Sequence, residues 1–433
     1  MNILDINGKE GEHPRSYFAA SAGMAPELVP IEGDARTEIC IIGGGYTGLS
    51  AALHLSEAGR QVTLIEAQRV GWGASGRNGG QVGSGQRIDQ VTLERMLGPE
   101  RARALWDIAE GAKQLVRDLI DRHAIACDLA PGIVTAAHRQ RHVAELHAYA
   151  EHLVKAYDYS SISALDRDEL AETIGTNAFF GGTLDRGAAH LHPLKFAFGL
   201  ARAALAAGAT MHERTRALSI ERGRIVRVAT DRGMVSADHV LIAANGYLGL
   251  LVPDVAARVL PINSYIAATE PMDAERAKKL IPDNVAVYDT RFVVSYFNLS
   301  ADHRLLFGGR EAYGYKDPTD ISSSIGKRML SIYPGLADLK FDYSWGGTLG
   351  ITLNRMPHFA QLGPNILNAS GFSGHGVALS VMAGRLMAEA LAGKSEGFDA
   401  MARVPGRRFP GGTLLRRPLL VLAMLYYAMR DRF

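Results

Sequence analysis

Residues Glu38–Glu66, EICIIGGGYTGLSAALHLSEAGRQVTLIE, decide how the rest of the chain is read. Ile39–Ile42 is an apolar run the length of one buried strand. Gly43-Gly44-Gly45-Tyr46-Thr47-Gly48 fits G-x-G-x-x-G, and Leu49, Ala52, Leu53 and Leu55 follow at helical spacing up to Gly59. Val62–Ile65 is a second apolar strand, and Glu66 closes it about 20 residues after the glycines. Strand, glycine turn, helix, strand and acid make up a dinucleotide-binding unit. Gly43 permits the tight turn, Gly45 lets backbone approach a pyrophosphate, and Gly48 lets the helix sit close to the sheet. Free N–H groups and the helix dipole favour phosphate at the helix start, and Glu66 can accept from ribose hydroxyls. The motif alone does not separate FAD from NAD.

Outward from this unit, Val70–Gln81 has five glycines in 12 positions, VGWGASGRNGGQ. Arg77 and Asn78 stand between them, so a second cofactor-facing loop is expected rather than a plain solvent turn. Further on, the apolar strand Val235–Ala244 ends in Asn245-Gly246, small residues suited to a sheet edge beside a cofactor. Near the end, the short strand Asn365–Ala369 leads into Gly371-Phe372-Ser373-Gly374-His375-Gly376 and a helix opened by Val377. This second strand–glycine turn–helix would aim another helix N-terminus at the same site. Backbone N–H groups there would stabilise the negative charge a reduced flavin carries at N1 and O2.

A chain of 433 residues is expected to form two lobes. Apolar content of 47% and charged content of 21% suit a soluble globular protein, and a net charge of +2 gives no pull toward nucleic acid. Two cysteines, Cys40 and Cys127, suggest a reducing compartment without a disulfide framework. The first 35 residues have no sustained apolar run, so no signal peptide and a cytoplasmic location are expected. Those residues read as an irregular arm with one aromatic anchor, Ser16-Tyr17-Phe18. Helices are expected over 94–123 and near 140–156. His190-Leu191-His192-Pro193 precedes another helix, and the lack of a third ligand speaks against a metal. A strand pattern is expected at Ile225–Ala229, and strand-like runs at Leu260–Ala268, Phe292–Phe297 and Arg304–Gly309 suggest an antiparallel sheet in the second lobe.

Taken together, the Gly43–Gly48 turn with Glu66, GASGRNGGQ at 73–81, Ala243–Gly246, Trp345 with Asn354–Pro357, and GFSGHG at 371–376 resemble the D-amino-acid-oxidase-like flavoproteins. Sarcosine and glycine oxidases belong to that family. Ser16–Phe18, His190–Pro193, Thr352–Pro357, Phe409–Gly412 and Tyr426–Arg432 resemble one branch more closely, the γ-glutamylputrescine oxidases of bacterial polyamine breakdown. The resemblance covers nearly the whole chain. It implies an α/β fold of two lobes, a Rossmann-like FAD-binding domain and a substrate domain on an antiparallel sheet. The expected division is 1–90, 181–250 and 346–433 for FAD, and 91–180 and 251–345 for substrate.

The resemblance also implies FAD with its adenine half on Gly43–Gly48 and Glu66, and its ring between the 73–81 loop and the 371–376 turn. Ala67, Ala217 and Ala244–Gly246 complete the expected cofactor contacts. Neither cysteine falls in the blocks that would meet the ring, so non-covalent FAD is expected. Family members acting on amino acids place an arginine on the substrate sheet. Ser295-Tyr296-Phe297-Asn298 has none, which favours a longer amine. In the implied chemistry a neutral amine loses hydride to the flavin, the imine is hydrolysed to aldehyde and ammonia, and oxygen or a quinone takes the electrons. His375 is the candidate residue nearest the ring. Tyr265, Tyr296 and Trp345 are candidate pocket walls, and Arg355 is a candidate partner for a distal glutamyl group. Sarcosine-, glycine- or D-amino-acid-type oxidation stands as the alternative enzyme reading. A non-catalytic redox sensor is the alternative of another class. The apolar run Pro418–Ala428, flanked by arginines and too short to span a bilayer, reads as a docked helix or a weak membrane-surface contact.

Overall fold

The strands Ala35–Ile42, Val62–Ile65 and Met234–Ile242 end level, with Ile42 opposite both Ile65 and Ile242. In the computed structural model, which describes residues 3–312 and 316–413, these strands form the middle of an eight-stranded sheet. Its order is His358–Gly363, Ile366–Ser370, Met234–Ile242, Ala35–Ile42, Val62–Ile65 and Thr210–His212, with Val226–Thr230 beside Met234–Ile242 and Ala217–Glu221 beside Val226–Thr230. The strands from Ile366 to Thr210 in this order run parallel. The apolar run of the first strand is explained by burial on both faces: Ile39 and Ile41 enter one core, Cys40 and Ile42 another.

The helix Tyr46–Glu57 lies on this sheet and packs against Val377–Leu391. A Cβ on Gly384 would meet the Thr47 carbonyl oxygen at 2.3 Å, so the two backbones touch. The long helical pattern at 94–123 is broken into Gln90–Leu97 and Pro99–Arg122 at Gly98, whose φ of +84° no helix accepts.

A second sheet, of nine strands, supplies the other lobe. Its order is Phe341–Ile351, Leu260–Thr269, Leu305–Ala312, Tyr296–Leu299, Ala286–Asp289, Ala130–Ala136, Gly182–His190 and Gln81–Val82, with Ile162–Leu165 beside Gly182–His190. Most of its pairs are antiparallel. Ile266 and Ala268 face the first lobe, while Tyr265 and Ala267 face an outer core.

The sheets correct the expected division at several points. Gln81–Val82 and Gly182–His190, expected in the cofactor lobe, belong to the second sheet. The border at 345/346 cuts through the strand Phe341–Ile351. The expected strand over 292–297 begins only at Tyr296. The apolar run Pro418–Ala428 lies outside the described residues. Among the described residues no helix is long and apolar enough to cross a membrane.

Candidate active site

Because the parallel strands end level, Gly43, Glu66 and Ala243 all stand at one carboxyl edge, where open α/β sheets bind their ligands. Gly43 turns the chain there with φ +115°, and a Cβ on it would meet the Ala243 carbonyl oxygen at 2.8 Å. A Cβ on Gly48 would lie 1.9 Å from the Gly43 carbonyl oxygen, so the helix packs onto the turn with no room for a side chain. The helix N-terminus has no cap of its own. Instead Tyr46 N–H donates to Ser75 Oγ at 2.9 Å, from the second glycine loop. Gly44 N–H donates to Glu66 Oε2 at 2.6 Å and Gln68 N–H to Oε1 at 2.9 Å. Burial pushes the Glu66 carboxyl above its ordinary range, and those two N–H groups oppose the rise.

A cavity of about 780 Å³ opens on this edge. Gly43, Gly45, Tyr46, Thr47, Glu66 and Ala67 line one end. Gly73, Ala74, Ser75 and Asn78 line another stretch, with Ala217, Ala244, Asn245 and Gly246 across from them. Phe372, Ser373, Gly374, Gly376 and Val377 complete the wall, and Pro261, Leu349 and Gly350 reach it from the second sheet. Asn245 ties three of these blocks together. Its Oδ1 accepts from Gly371 N–H at 2.8 Å, and a Cβ on Gly350 would meet that oxygen at 2.3 Å.

Other predicted residues support the cavity without lining it. Arg77 is buried. Its Nε donates to the Trp72 carbonyl at 2.6 Å, Nη1 donates to Gly346 at 3.2 Å, and its guanidinium lies 4.1 Å over the Trp72 ring. Gly80 passes so close to Leu191 that a Cβ would lie 1.9 Å from its carbonyl oxygen, and Gln81 Nε2 donates to Val287 at 3.2 Å. Gly79 lies against the Tyr296 ring, which also covers Gly308. Tyr296 OH stands 3.4 Å from Ser264 Oγ.

Two of the expected pocket walls are core residues. Tyr265 is fully buried in the outer core of the second lobe. Trp345 is buried edge-on to Phe18 and donates from Nε1 to the Arg77 carbonyl at 3.1 Å. Arg355, with φ +62°, sits in the Thr352–Met356 turn and is not on the cavity wall. His375 turns away from the cavity, and its Nε2 donates to the Gly85 carbonyl at 3.1 Å. Burial, Arg87 and Lys113 push it down to about 4, against the Gly85 and Ser84 carbonyls. Its ring is therefore neutral near pH 7, and with the proton on Nε2 the Nδ1 atom is an acceptor.

Tyr247 is among the wall residues that escaped the sequence reading. Tyr247 lies over Gly73, meets Trp72 edge-on at 5.4 Å between centroids, and accepts from Thr348 N–H at 3.0 Å. It follows Asn245-Gly246 directly, and an aromatic residue just after that turn was the available signal. The His-x-His pair is otherwise engaged. His192 Nδ1 accepts from Lys195 N–H at 3.1 Å at the helix start, and His190 Nε2 donates to Asn284. Both cysteines are buried and their thiols are pushed up to about 12 by burial.

The glycine turn at an uncapped helix start, the Glu66 carboxylate at the same sheet edge and the second glycine wall fit FAD in this cavity. The chain belongs to the FAD-dependent oxidoreductases of the D-amino-acid-oxidase family, whose description "FAD dependent oxidoreductase" matches residues 38–390. It is 43% identical to a "Probable oxidoreductase OrdL" of Rhizobium meliloti, over 96% of this chain and 97% of that one. It is 38% identical to the "Gamma-glutamylputrescine oxidoreductase" of Escherichia coli, over 97% and 99% of the two chains. The fold is that of glycine oxidase from Geobacillus kaustophilus, with a TM-score of 0.71 at 22% identity over 87% of this chain and 100% of that one. The protein is thus an FAD-dependent enzyme, which sets aside the redox-sensor reading.

Proposed function

We propose that this enzyme oxidises the primary amine at the end of a γ-glutamylated polyamine, giving an aldehyde, ammonia and, with oxygen as acceptor, hydrogen peroxide. The observation that carries the reading is the near-complete overlap with the γ-glutamylputrescine oxidoreductase at 38% identity. Bound non-covalently, FAD would supply the hydride acceptor for the amine-bearing carbon. Gly43–Gly48, Glu66 and Ser75 hold its phosphates and ribose in this reading, while the 73–81 loop and the 371–376 turn flank its ring. The sheet around Tyr296 and Ser264 roofs the substrate and keeps water from the reacting carbon.

The strand Tyr296–Leu299 carries no arginine that would pair with an α-carboxylate, which favours the longer amine. The test is anaerobic flavin reduction by γ-glutamylputrescine, putrescine, sarcosine and glycine at matched concentration. The first is expected to reduce the flavin fastest. Faster reduction by sarcosine or glycine would move the enzyme to the amino-acid branch.

A further inference from the structure

Gly83-Ser84-Gly85, just after the short strand Gln81–Val82, is clamped from two sides. On one side Lys113, 3% exposed on the helix Pro99–Arg122, donates from Nζ to Ser84 Oγ at 2.5 Å and to Tyr159 OH at 2.8 Å. It also pairs with Glu110 Oε2 at 2.7 Å. Glu110 Oε1 accepts from Gly85 N–H at 3.2 Å. Asp185 closes the cluster, accepting from Tyr159 OH at 2.5 Å and from Ser84 Oγ. On the other side, His375 donates to the carbonyl of the same Gly85, and a Cβ on Gly83 would meet His375 Cε1 at 2.6 Å. Gly85 has φ +64°, and a Cβ there would meet the Trp106 ring at 3.0 Å, so the turn has one conformation to adopt.

We propose that Lys113 is a positioning residue of the flavin site: with Glu110 and Ser84 it fixes Gly85, whose carbonyl holds His375 as the Nε2–H form. A buried ammonium must keep its acceptors, because leaving it unpaired is costly. That requirement makes the clamp stiff. Its stiffness reaches the cavity because Gly374 and Gly376, on either side of His375, both line the wall. The flavin-side turn is thus held by its own strand and by a helix that does not touch the cavity. Lys113 also acts on His375 through space, as one of the two cations that disfavour its protonation.

The inference rests on the flavin ring lying beside the 371–376 turn, as proposed above. Its deciding readout, the His375 ring form, is taken on the resting holoenzyme with no amine present, so it stands or falls apart from the substrate assignment. In protein carrying ¹⁵N-histidine, the His375 ring signals are assigned by their loss in His375→Gln. Wild type is expected to show the Nε2–H form alone at pH 7.5. Lys113→Met is expected to show Nε2–H and Nδ1–H forms together. Its flavin reduction by the best amine should fall about tenfold, as misplacement of a reacting group predicts. Lys113→Arg should restore the single form in part. If Lys113→Met does not fold, Ser84→Ala, which removes one hydroxyl from the clamp, gives the same reading. Unchanged His375 signals in both variants, or mixed forms already in wild type, overturn the proposal.

Discussion

At the scale of single residues, His375 shows how surroundings define a role that residue type leaves open. In the sequence it stands between two glycines at a helix start, where a charged histidine or a neutral one would fit equally. In the fold its Nε2 is committed to Gly85, and burial with Arg87 and Lys113 holds its pKa near 4. The folded value lies below the ordinary 6.5, so unfolding takes up a proton between those limits. Its contribution to stability is therefore present above about pH 6.5 and is lost as the pH falls toward 4. His375→Gln should flatten the stability–pH curve within that window and leave its slope above pH 7 alone. Denaturant unfolding of wild type and variant at pH 4.5, 5.5, 6.5 and 7.5 measures this. His375 itself titrating at 6 or above in the wild type would contradict it. Glu66 runs in the opposite sense, since burial raises it while the Gly44, Gln68 and Ala67 N–H groups favour its charge.

Among the elements, the glycine turn and its helix are held by geometry that a single methyl group breaks. Gly48→Ala would drive a Cβ into the Gly43 carbonyl, so the helix Tyr46–Glu57 must move off the sheet or the turn must open. Overpacking of this kind costs about 1–3 kcal/mol, and here the displaced backbone is the turn proposed to hold the cofactor. The expected outcome is a folded protein purified without FAD, read from its visible spectrum and circular dichroism. Normal FAD content would show that the helix does not need this approach. This unit was legible in sequence because its apolar runs are buried on both faces and its glycines have fixed spacing. The strand at 292–297 was misplaced because Phe292-Val293-Val294 has strand composition but lies in a turn. Asp289 builds that turn by accepting from Arg291 N–H and Ser295 N–H, and Arg328 pins the Val293 carbonyl. Gly182–His190 was assigned to the wrong lobe because strand pairing over long separations leaves no local mark. Tyr265 and Trp345 were read as pocket walls because alternation along a strand does not say which face meets the ligand. The Lys113 clamp was invisible for a related reason, since its members come from five separate stretches of chain.

For the whole molecule, both lobes meet at the cofactor cavity and are fastened together elsewhere. The N-terminal arm bridges them: Tyr17 OH donates to Asp302 at 2.6 Å, Phe18 packs on Trp345, and Ser21 Oγ lies 3.0 Å from His192 Nε2. Arg77 crosses from the glycine loop to the Gly346 carbonyl, and Pro261, Leu349 and Gly350 of the second sheet complete the cavity wall. A ligand filling that cavity touches both sheets, so its binding energy opposes separation of the lobes as well as unfolding of the first. Binding to the native state alone adds about 2.7 kcal/mol when free FAD stands about one hundredfold above its Kd. Calorimetry of apoprotein across an FAD series should show one transition that rises in temperature with each increment. Tyr17→Phe removes one of the cross-lobe bonds, and it should lower that transition without splitting it. Two transitions, of which FAD moves only one, would mean that the lobes unfold independently. The cavity would then belong energetically to the first lobe, with the second sheet resting against it rather than sharing in the hold on the cofactor.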